Sequence, residues 1–238
     1  MSIFTKEELV RYHRQIILPE VGMAGQERIK KAKVLVVGAG GLGCPLLLYL
    51  SGAGVGEIGI VDFDKVEASN LHRQVIYKEE DIGKKKAQVA GVRIGELNPF
   101  VKVNVHDVML EMQNAEEIIS GYDIICEGSD NFLTRYLVND ICVKLRKPLI
   151  YGSVLRFEGQ LAVFNLNSSR NLRDLFPEPP APEDVPSCSE AGVLGVIPGI
   201  IGSMMGEKCL LVILGKDPGI NKLFIYRSFG EPFTVLNF

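Results

Sequence analysis

Val34-Leu35-Val36-Val37 runs directly into Gly38-Ala39-Gly40-Gly41-Leu42-Gly43, and this junction restricts the possible folds more than any other stretch. A short, largely β-branched apolar run is a strand buried on both faces. The glycines at 38, 40 and 43 have G-x-G-x-x-G spacing. The first permits a tight turn, the second a close approach to the backbone, and the third close packing of the following helix. Residues 46–50 then read as a buried helix, and residues 57–61 as a second strand that ends at Asp62. Strand, glycine turn, helix, strand and acid make a βαβ unit, which commits the chain to a parallel sheet.

The alternation continues downstream. Residues 84–97 are helical by pattern and stop at Asn98-Pro99. Residues 101–105 alternate as a strand, 112–120 suit a helix, 122–126 a buried strand, 131–146 an amphipathic helix, and 149–151 a strand. Repeated strand–helix units predict a Rossmann-like, doubly wound α/β fold, a mostly parallel sheet with helices on both faces. Residues 5–31 read as short helices forming an N-terminal arm. After residue 155 the character changes. Residues 160–165, 223–226 and 232–236 read as a C-terminal extension of a few antiparallel strands outside the doubly wound core. The proline-rich, acidic stretch 176–186 suits neither helix nor central strand. The expected organisation is one domain over 1–238, with an arm at 1–31, a core at 32–155, and an extension at 156–238 that carries a mobile loop at 167–187.

Composition narrows the function classes. At 238 residues the chain buries a sizeable core, and a net charge of −3 argues against general nucleic-acid binding. The longest uncharged stretch, 191–206, is shorter than a membrane span and is broken by glycines and Pro198, so a buried loop and helix is expected there. Met1-Ser2-Ile3-Phe4-Thr5-Lys6 lacks the basic and apolar layout of a signal peptide. The five cysteines form no C-x-x-C pair, which suits reduced thiols in a cytoplasm.

The chemistry follows from the order of polar elements. A helix starting near Leu42 directs its N–H groups and dipole toward an anion, and an acid at Asp62 accepts hydrogen bonds from ribose hydroxyls. Loop and acid alone fit NAD as well as an adenosine nucleotide. Ser69-Asn70-Leu71-His72-Arg73-Gln74 and Lys86 then add two cations and two amides. A dinucleotide carries about two negative charges on its pyrophosphate, whereas ATP concentrates about four, and releasing pyrophosphate calls for cations. Asp130-Asn131 follows the 122–126 strand at the carboxyl edge of the sheet, and a carboxylate beside phosphates suits Mg²⁺. Each charged residue alone reads better as a solvated surface group. Their conjunction points to an adenylating enzyme. An NAD-dependent oxidoreductase is the alternative, and it leaves Arg73, Lys86 and Asp130 without work.

Arg11-Tyr12-His13-Arg14-Gln15, the Gly38–Gly43 loop, Asp62-Phe63-Asp64, Ser69 to Gln74, Lys86-Ala87, Asn98-Pro99, Asp130-Asn131 with Thr134-Arg135, and Gly159-Gln160 resemble the ThiF/MoeB/HesA family, bacterial relatives of ubiquitin-activating enzymes. The resemblance spans residues 11 to about 215. It implies ATP- and Mg²⁺-dependent adenylation of the C-terminal Gly-Gly carboxylate of a ubiquitin-fold sulfur carrier protein. The pathways served are thiazole (thiamine), sulfur amino acid or molybdopterin synthesis. Gly41 and Asp62 are then expected to hold the nucleoside, Asn70, Arg73 and Lys86 the phosphates, and Asp130 the Mg²⁺. Gly38, Gly40, Gly43, Asp64, Ser69, Gln74 and Asn131 complete the nucleotide site. The resemblance also implies a homodimer in which Arg14 reaches the neighbouring subunit's triphosphate, and a carrier docked on the 156–238 strands.

Cys188 stands after the proline-rich stretch, where relatives can carry a cysteine that bonds to the carrier or transfers sulfur. An incidental cysteine is the equal alternative. Many relatives bind zinc through two C-x-x-C pairs. Here Asn171 and Asp174 occupy the first pair's positions and the second pair is absent, so no zinc is expected. This sets the chain apart from the best-known thiamine and molybdopterin branches. A third reading, a catalytically silent carrier-binding scaffold, requires a lost phosphate or metal residue, and none is lost.

Overall fold

The computed structural model describes residues 3–180 and 191–238. One eight-stranded sheet runs through it in the order β3-β2-β1-β4-β5-β6-β7-β8. The strands are β1 Lys33–Val37, β2 Glu57–Val61, β3 Lys102–His106, β4 Ile124–Glu127, β5 Leu149–Leu155, β6 Glu158–Phe164, β7 Lys222–Arg227 and β8 Phe233–Asn237. Neighbours from β3 to β5 pair in parallel, and β5-β6, β6-β7 and β7-β8 pair antiparallel. The expected C-terminal strands therefore exist, but they continue the core sheet through the β5–β6 hairpin and do not sit apart from it. The hairpin is why: β5 runs to Leu155, past the residue 151 at which the sequence reading ends it, and offers seven residues to β6.

The helices are α1 Lys6–Ile16, α2 Gly22–Lys31, α3 Gly43–Ala53, α4 Lys86–Leu97, α5 Ala115–Ser120, α6 Phe132–Leu145, α7 Leu172–Leu175 and α8 Val196–Leu214. Alternation along the strands divides the core in two. Val34, Val36, Ile58, Ile60 and Ile150 pack with Leu46, Leu50, Ile94, Ile201 and Met205, on the side of α2, α3, α4 and α8. Leu35, Val37, Val61, Ile125 and Leu149 face the other way and pack with Ile119, Val138 and Cys142, from α5 and α6. A strand flanked on both faces has no polar side, which is why β1 reads as an unbroken apolar run.

Helix α8 covers β4, β5 and β6 and reaches Leu214, well beyond the uncharged stretch. It is long and apolar enough to cross a membrane by length and mean hydropathy. Here Ile197, Ile201, Met205 and Cys209 are buried against the sheet, and Glu207 and Lys208 interrupt it. Arg28 of α2 ties its end down by donating to the Leu214 carbonyl at 2.8 Å.

Part of the 167–187 segment expected to be mobile is anchored. Leu172 of α7 is buried, and Arg173 pairs with Asp140 of α6 at 2.8 Å. Asn171 and Asp174, at the expected first zinc positions, cap α7 through each other: Asn171 N–H donates to the Asp174 carboxylate at 2.8 Å. Tyr136 donates its hydroxyl to the carbonyls of Phe176 (3.0 Å) and Glu178 (2.7 Å). Cys188 lies outside the described residues.

The order β2-β1-β4 makes β1 and β4 the switch point, where connections leave in opposite directions. Ligands of doubly wound folds bind at the carboxyl ends of such a pair. The glycine loop follows β1 there, and Gly128-Ser129-Asp130-Asn131 follows β4.

Candidate nucleotide site

The glycine loop is fixed by its own backbone. Gly38 donates to the Val61 carbonyl at 2.8 Å and has φ +90°, where side chains are strained. A Cβ on Gly38 would meet Gly128 O and Ser129 N at 3.1 Å, so the two loops of the switch point are in contact. Gly43 lies behind the loop, where a Cβ would overlap the Gly38 carbonyl. It sets the turn and does not line the cavity. Helix α3 then begins with no capping side chain. Cys44 N–H goes to the Gly40 carbonyl at 2.9 Å and Pro45 has no N–H, so the helix dipole and the N–H groups ahead of Cys44 are what it offers an anion.

A cavity of about 250 Å³ opens over this loop. Gly38, Gly40, Gly41, Asp62, Asp64, Arg73, Gln74, Lys86, Asp130 and Asn131 all line it, so ten of the expected residues converge from five separate segments. The lining is apolar at Val37, Val61, Phe63, Val108, Met109 and Leu110, and cationic at Arg73 and Lys86. Asp62 accepts at one carboxylate oxygen from Ala39 N–H at 2.8 Å and at the other from Asp64 N–H at 2.9 Å. Burial raises the Asp62 carboxyl above its ordinary range, against the opposing pull of Lys86. Lys86 is buried and donates to Asp64 at 2.9 Å. Arg73 is held by the Ser69 carbonyl at 3.0 Å. Gln74 is 3% exposed and lines the cavity, while its amide oxygen is buried with no partner among the described residues.

Ser69 and Asn70 stand behind this wall and outside the lining. Asn70 is buried, its side chain accepts from Glu67 N–H at 3.3 Å, and its carbonyl takes the N–H groups of Arg73 (3.0 Å) and Gln74 (2.9 Å). It shapes the turn that presents the Arg73 and Gln74 side chains to the cavity. Ser69 bonds to Glu67 at 3.2 Å and offers its carbonyl to Arg73. Arg14 is exposed on α1 and does not line the cavity of its own chain.

Several lining residues escaped the sequence reading as site residues: Ser129, Thr134, Arg135, Val154, Val193 and Pro198. Thr134-Arg135 lies one turn beyond Asp130-Asn131 on α6, a spacing that does put both on the cavity side. Val193 and Pro198 come from the far end of the chain and carry no local signal. Beneath them Glu127, the last residue of β4, is fully buried, and burial pushes its carboxyl up to about 7 despite the nearby Arg135.

The comparisons agree with this geometry. The model of the ThiF family matches residues 12–237. A sulfur carrier protein adenylyltransferase of Thermus thermophilus is 52% identical over 239 aligned residues, covering 98% of this chain and 88% of that protein. The adenylyltransferase and sulfurtransferase MOCS3 of Culex quinquefasciatus is 51% identical over 210 residues, covering 88% of this chain but 48% of that longer protein. Among solved structures, E. coli MccB with ATP superposes with a TM-score of 0.81 at 20% identity, over 95% of this chain and 71% of that one. That likeness speaks for the fold alone. With the family model spanning nearly all of its length and the switch-point cavity built as described, the chain belongs to the ThiF family.

Proposed function

We propose that this protein is an ATP-dependent adenylyltransferase that activates the C-terminal carboxylate of a ubiquitin-fold sulfur carrier ending in Gly-Gly, giving an acyl-adenylate and pyrophosphate. The observation that carries the reading is the convergence of Arg73, Gln74, Lys86 and Asp130 on the cavity that the glycine loop and Asp62 already define. The relatives named above supply the substrate class. An oxidoreductase would leave those four residues idle. A silent scaffold would have no use for two cations and a carboxylate set around the glycine loop and Asp62.

In this reading the adenine packs on the apolar part of the lining and Asp62 takes the ribose. The N-terminus of α3, Arg73 and Lys86 take the phosphates. The attacking carboxylate is ionised near pH 7, so no general base is required, and the described lining contains no histidine or cysteine. Catalysis then rests on alignment and on charge stabilisation as pyrophosphate departs. Asp130 would hold Mg²⁺. One carboxylate plus substrate phosphates is an ordinary Mg²⁺ set, and this fits a site where no group of three or more metal-binding side chains is found among the described residues. The ion would neutralise phosphate charge.

The exposed position of Arg14 is consistent with service to a neighbouring subunit. Beside it lies a groove lined by Tyr49, Ser203, Leu210 and Leu211 with Arg11 and Gln15, and Tyr49 is 61% exposed. A homodimer packed through this groove is part of the proposal, as are a cytoplasmic setting, carrier docking over the 156–238 strands, an accessory role for Cys188, and the absence of zinc. The decisive experiment is ATP–pyrophosphate exchange with and without a panel of Gly-Gly-ended carriers. Exchange that depends on one carrier supports the reading. Nucleotide binding without exchange under any carrier overturns it.

A further inference from the structure

Glu127 and Arg135 form a buried pair that none of the chemistry above uses. Glu127 is fully buried at the end of β4 and Arg135 is 5% exposed on α6. One Glu127 oxygen accepts both from Ser129 N–H (2.8 Å) and from the Ser129 hydroxyl. The other has no hydrogen bond and faces Arg135 Nε at 3.8 Å. Arg135 donates Nη2 and Nε to the Ser129 carbonyl at 2.9 and 3.3 Å and Nη1 to Ser153 at 3.3 Å. Its guanidinium also stacks 4.9 Å from the Phe132 ring and 5.8 Å from the Tyr151 ring. Both backbone groups of Ser129 are thus held by side chains from two different elements. On the next residue but one, the Asn131 side chain caps α6 by accepting from Leu133 N–H at 2.8 Å. Residues 128–131 all line the cavity, and Asp130 brings this turn's one ionisable side chain to it.

We infer that Glu127 and Arg135 are positioning residues that hold the Ser129-Asp130 turn so that the Asp130 carboxylate meets the metal-bound phosphates. A buried charge pair with one unsatisfied oxygen is poor stabilising material, since apolar side chains of similar volume commonly do as well. Such a pair fits a site where local stability is exchanged for placement. Misplacing a reacting or ligating group by about 1 Å costs on the order of 100-fold in rate.

This inference rests on the proposed role of Asp130, and its test avoids both turnover and carrier. Mn²⁺ would be titrated by electron paramagnetic resonance into the full chain with α,β-methylene ATP, and nucleotide affinity measured separately in EDTA. Glu127→Gln keeps the volume and one acceptor, and Arg135→Lys keeps the charge but loses the fork to Ser129. Each is expected to weaken Mn²⁺ binding about tenfold, with metal-free nucleotide affinity within twofold of wild type. Ser129→Ala changes a surface turn, leaves the core intact, and is expected to weaken Mn²⁺ about threefold. It stands in for any variant that does not fold. A merely structural pair would lower the melting temperature and leave Mn²⁺ affinity unchanged, and that result overturns the inference. Wild-type protein that shows no nucleotide-dependent Mn²⁺ binding would instead overturn the proposed function, and this inference with it.

Discussion

Two alanine substitutions in the glycine loop separate scaffold from ligand contact. At Gly43, a Cβ would lie 2.9 Å from the Gly38 carbonyl carbon and closer still to its oxygen. Ordinary contact begins near 3.4 Å. The obstacle is backbone that is itself pressed against Gly128 and Ser129, so relief requires moving the loop by on the order of 1 Å. Overpacking of this kind costs about 1–3 kcal/mol, and a displacement of that size costs about 100-fold in a reaction governed by alignment. At Gly41 a Cβ meets Pro198 side-chain atoms at 3.0 and 3.1 Å and Arg73 Cδ at 3.7 Å, and a few tenths of an ångström in these side chains relieves it. All three residues line the cavity, so the added methyl group takes up room there. Gly41→Ala should therefore stay within about 1 kcal/mol of wild-type stability while losing α,β-methylene ATP affinity at least tenfold. Gly43→Ala should lose both stability and affinity. Gly95→Ala on α4, where nothing lies within 4 Å, should gain about 0.5–1 kcal/mol and serves as the control. Urea unfolding and isothermal titration calorimetry measure the two quantities. Wild-type affinity in Gly43→Ala, or equal destabilisation by both loop variants, would refute the reasoning.

Arg73→Ala and Asp130→Ala remove partly or wholly exposed side chains, so urea midpoints should hold within about 0.5 kcal/mol while exchange falls at least 100-fold. Unchanged exchange in either variant contradicts the site map. The Glu127 carboxyl titrates near 7 in the fold against an ordinary 4.5, so the folded state binds the extra proton between those values. Stability should then fall as pH rises from 4.5 to 7, by about 3 kcal/mol at most. Glu127→Gln should flatten that slope in urea unfolding across pH, and an unaltered slope counts against the assignment. Burial pushes the thiols of Cys44 and Cys142 up to about 12, and Cys126 well above its usual value. Iodoacetamide at pH 8 should leave all three unmodified in native protein by peptide mass mapping, and rapid labelling of any of them would contradict the packing.

Local signals explain what the sequence revealed. The glycine spacing, the acid after β2 and the helix stop at Asn98-Pro99 are short-range effects of backbone sterics, and they located β1, α3, β2 and α4 to within a few residues. Arg73, Lys86 and Asp130 were legible because charge beside an anion site has few other uses in combination. Asn70 lies outside the lining and braces the turn behind it; composition shows that an amide is present but not which way the fold turns it. Glu127 was missed because it ends an apolar strand and reads as the first solvated residue after it, whereas the neighbouring α6 closes over it. Val193 and Pro198 could not be found locally, since only the packing of α8 brings them to the cavity. The continuity of β5 into β6 likewise depends on long-range pairing, which leaves no periodic mark.

The lid that α8 forms over β4, β5 and β6 has a consequence for synthesis on the ribosome. The glycine loop is complete by residue 43, yet Gly202 of α8 packs against the Leu42 carbonyl and Arg28 waits for Leu214. Until about 214 residues have emerged, the part of the Val34, Val36 and Ile150 face on β4, β5 and β6 lacks the cover that α8 supplies. Chains emerge N-terminus first, and domains fold as units. The nucleotide half is therefore not an autonomous module: a chain halted before residue 196 would expose this apolar face and call for a chaperone, and fusions or circular permutations that separate α8 from β1 would lose the loop's support.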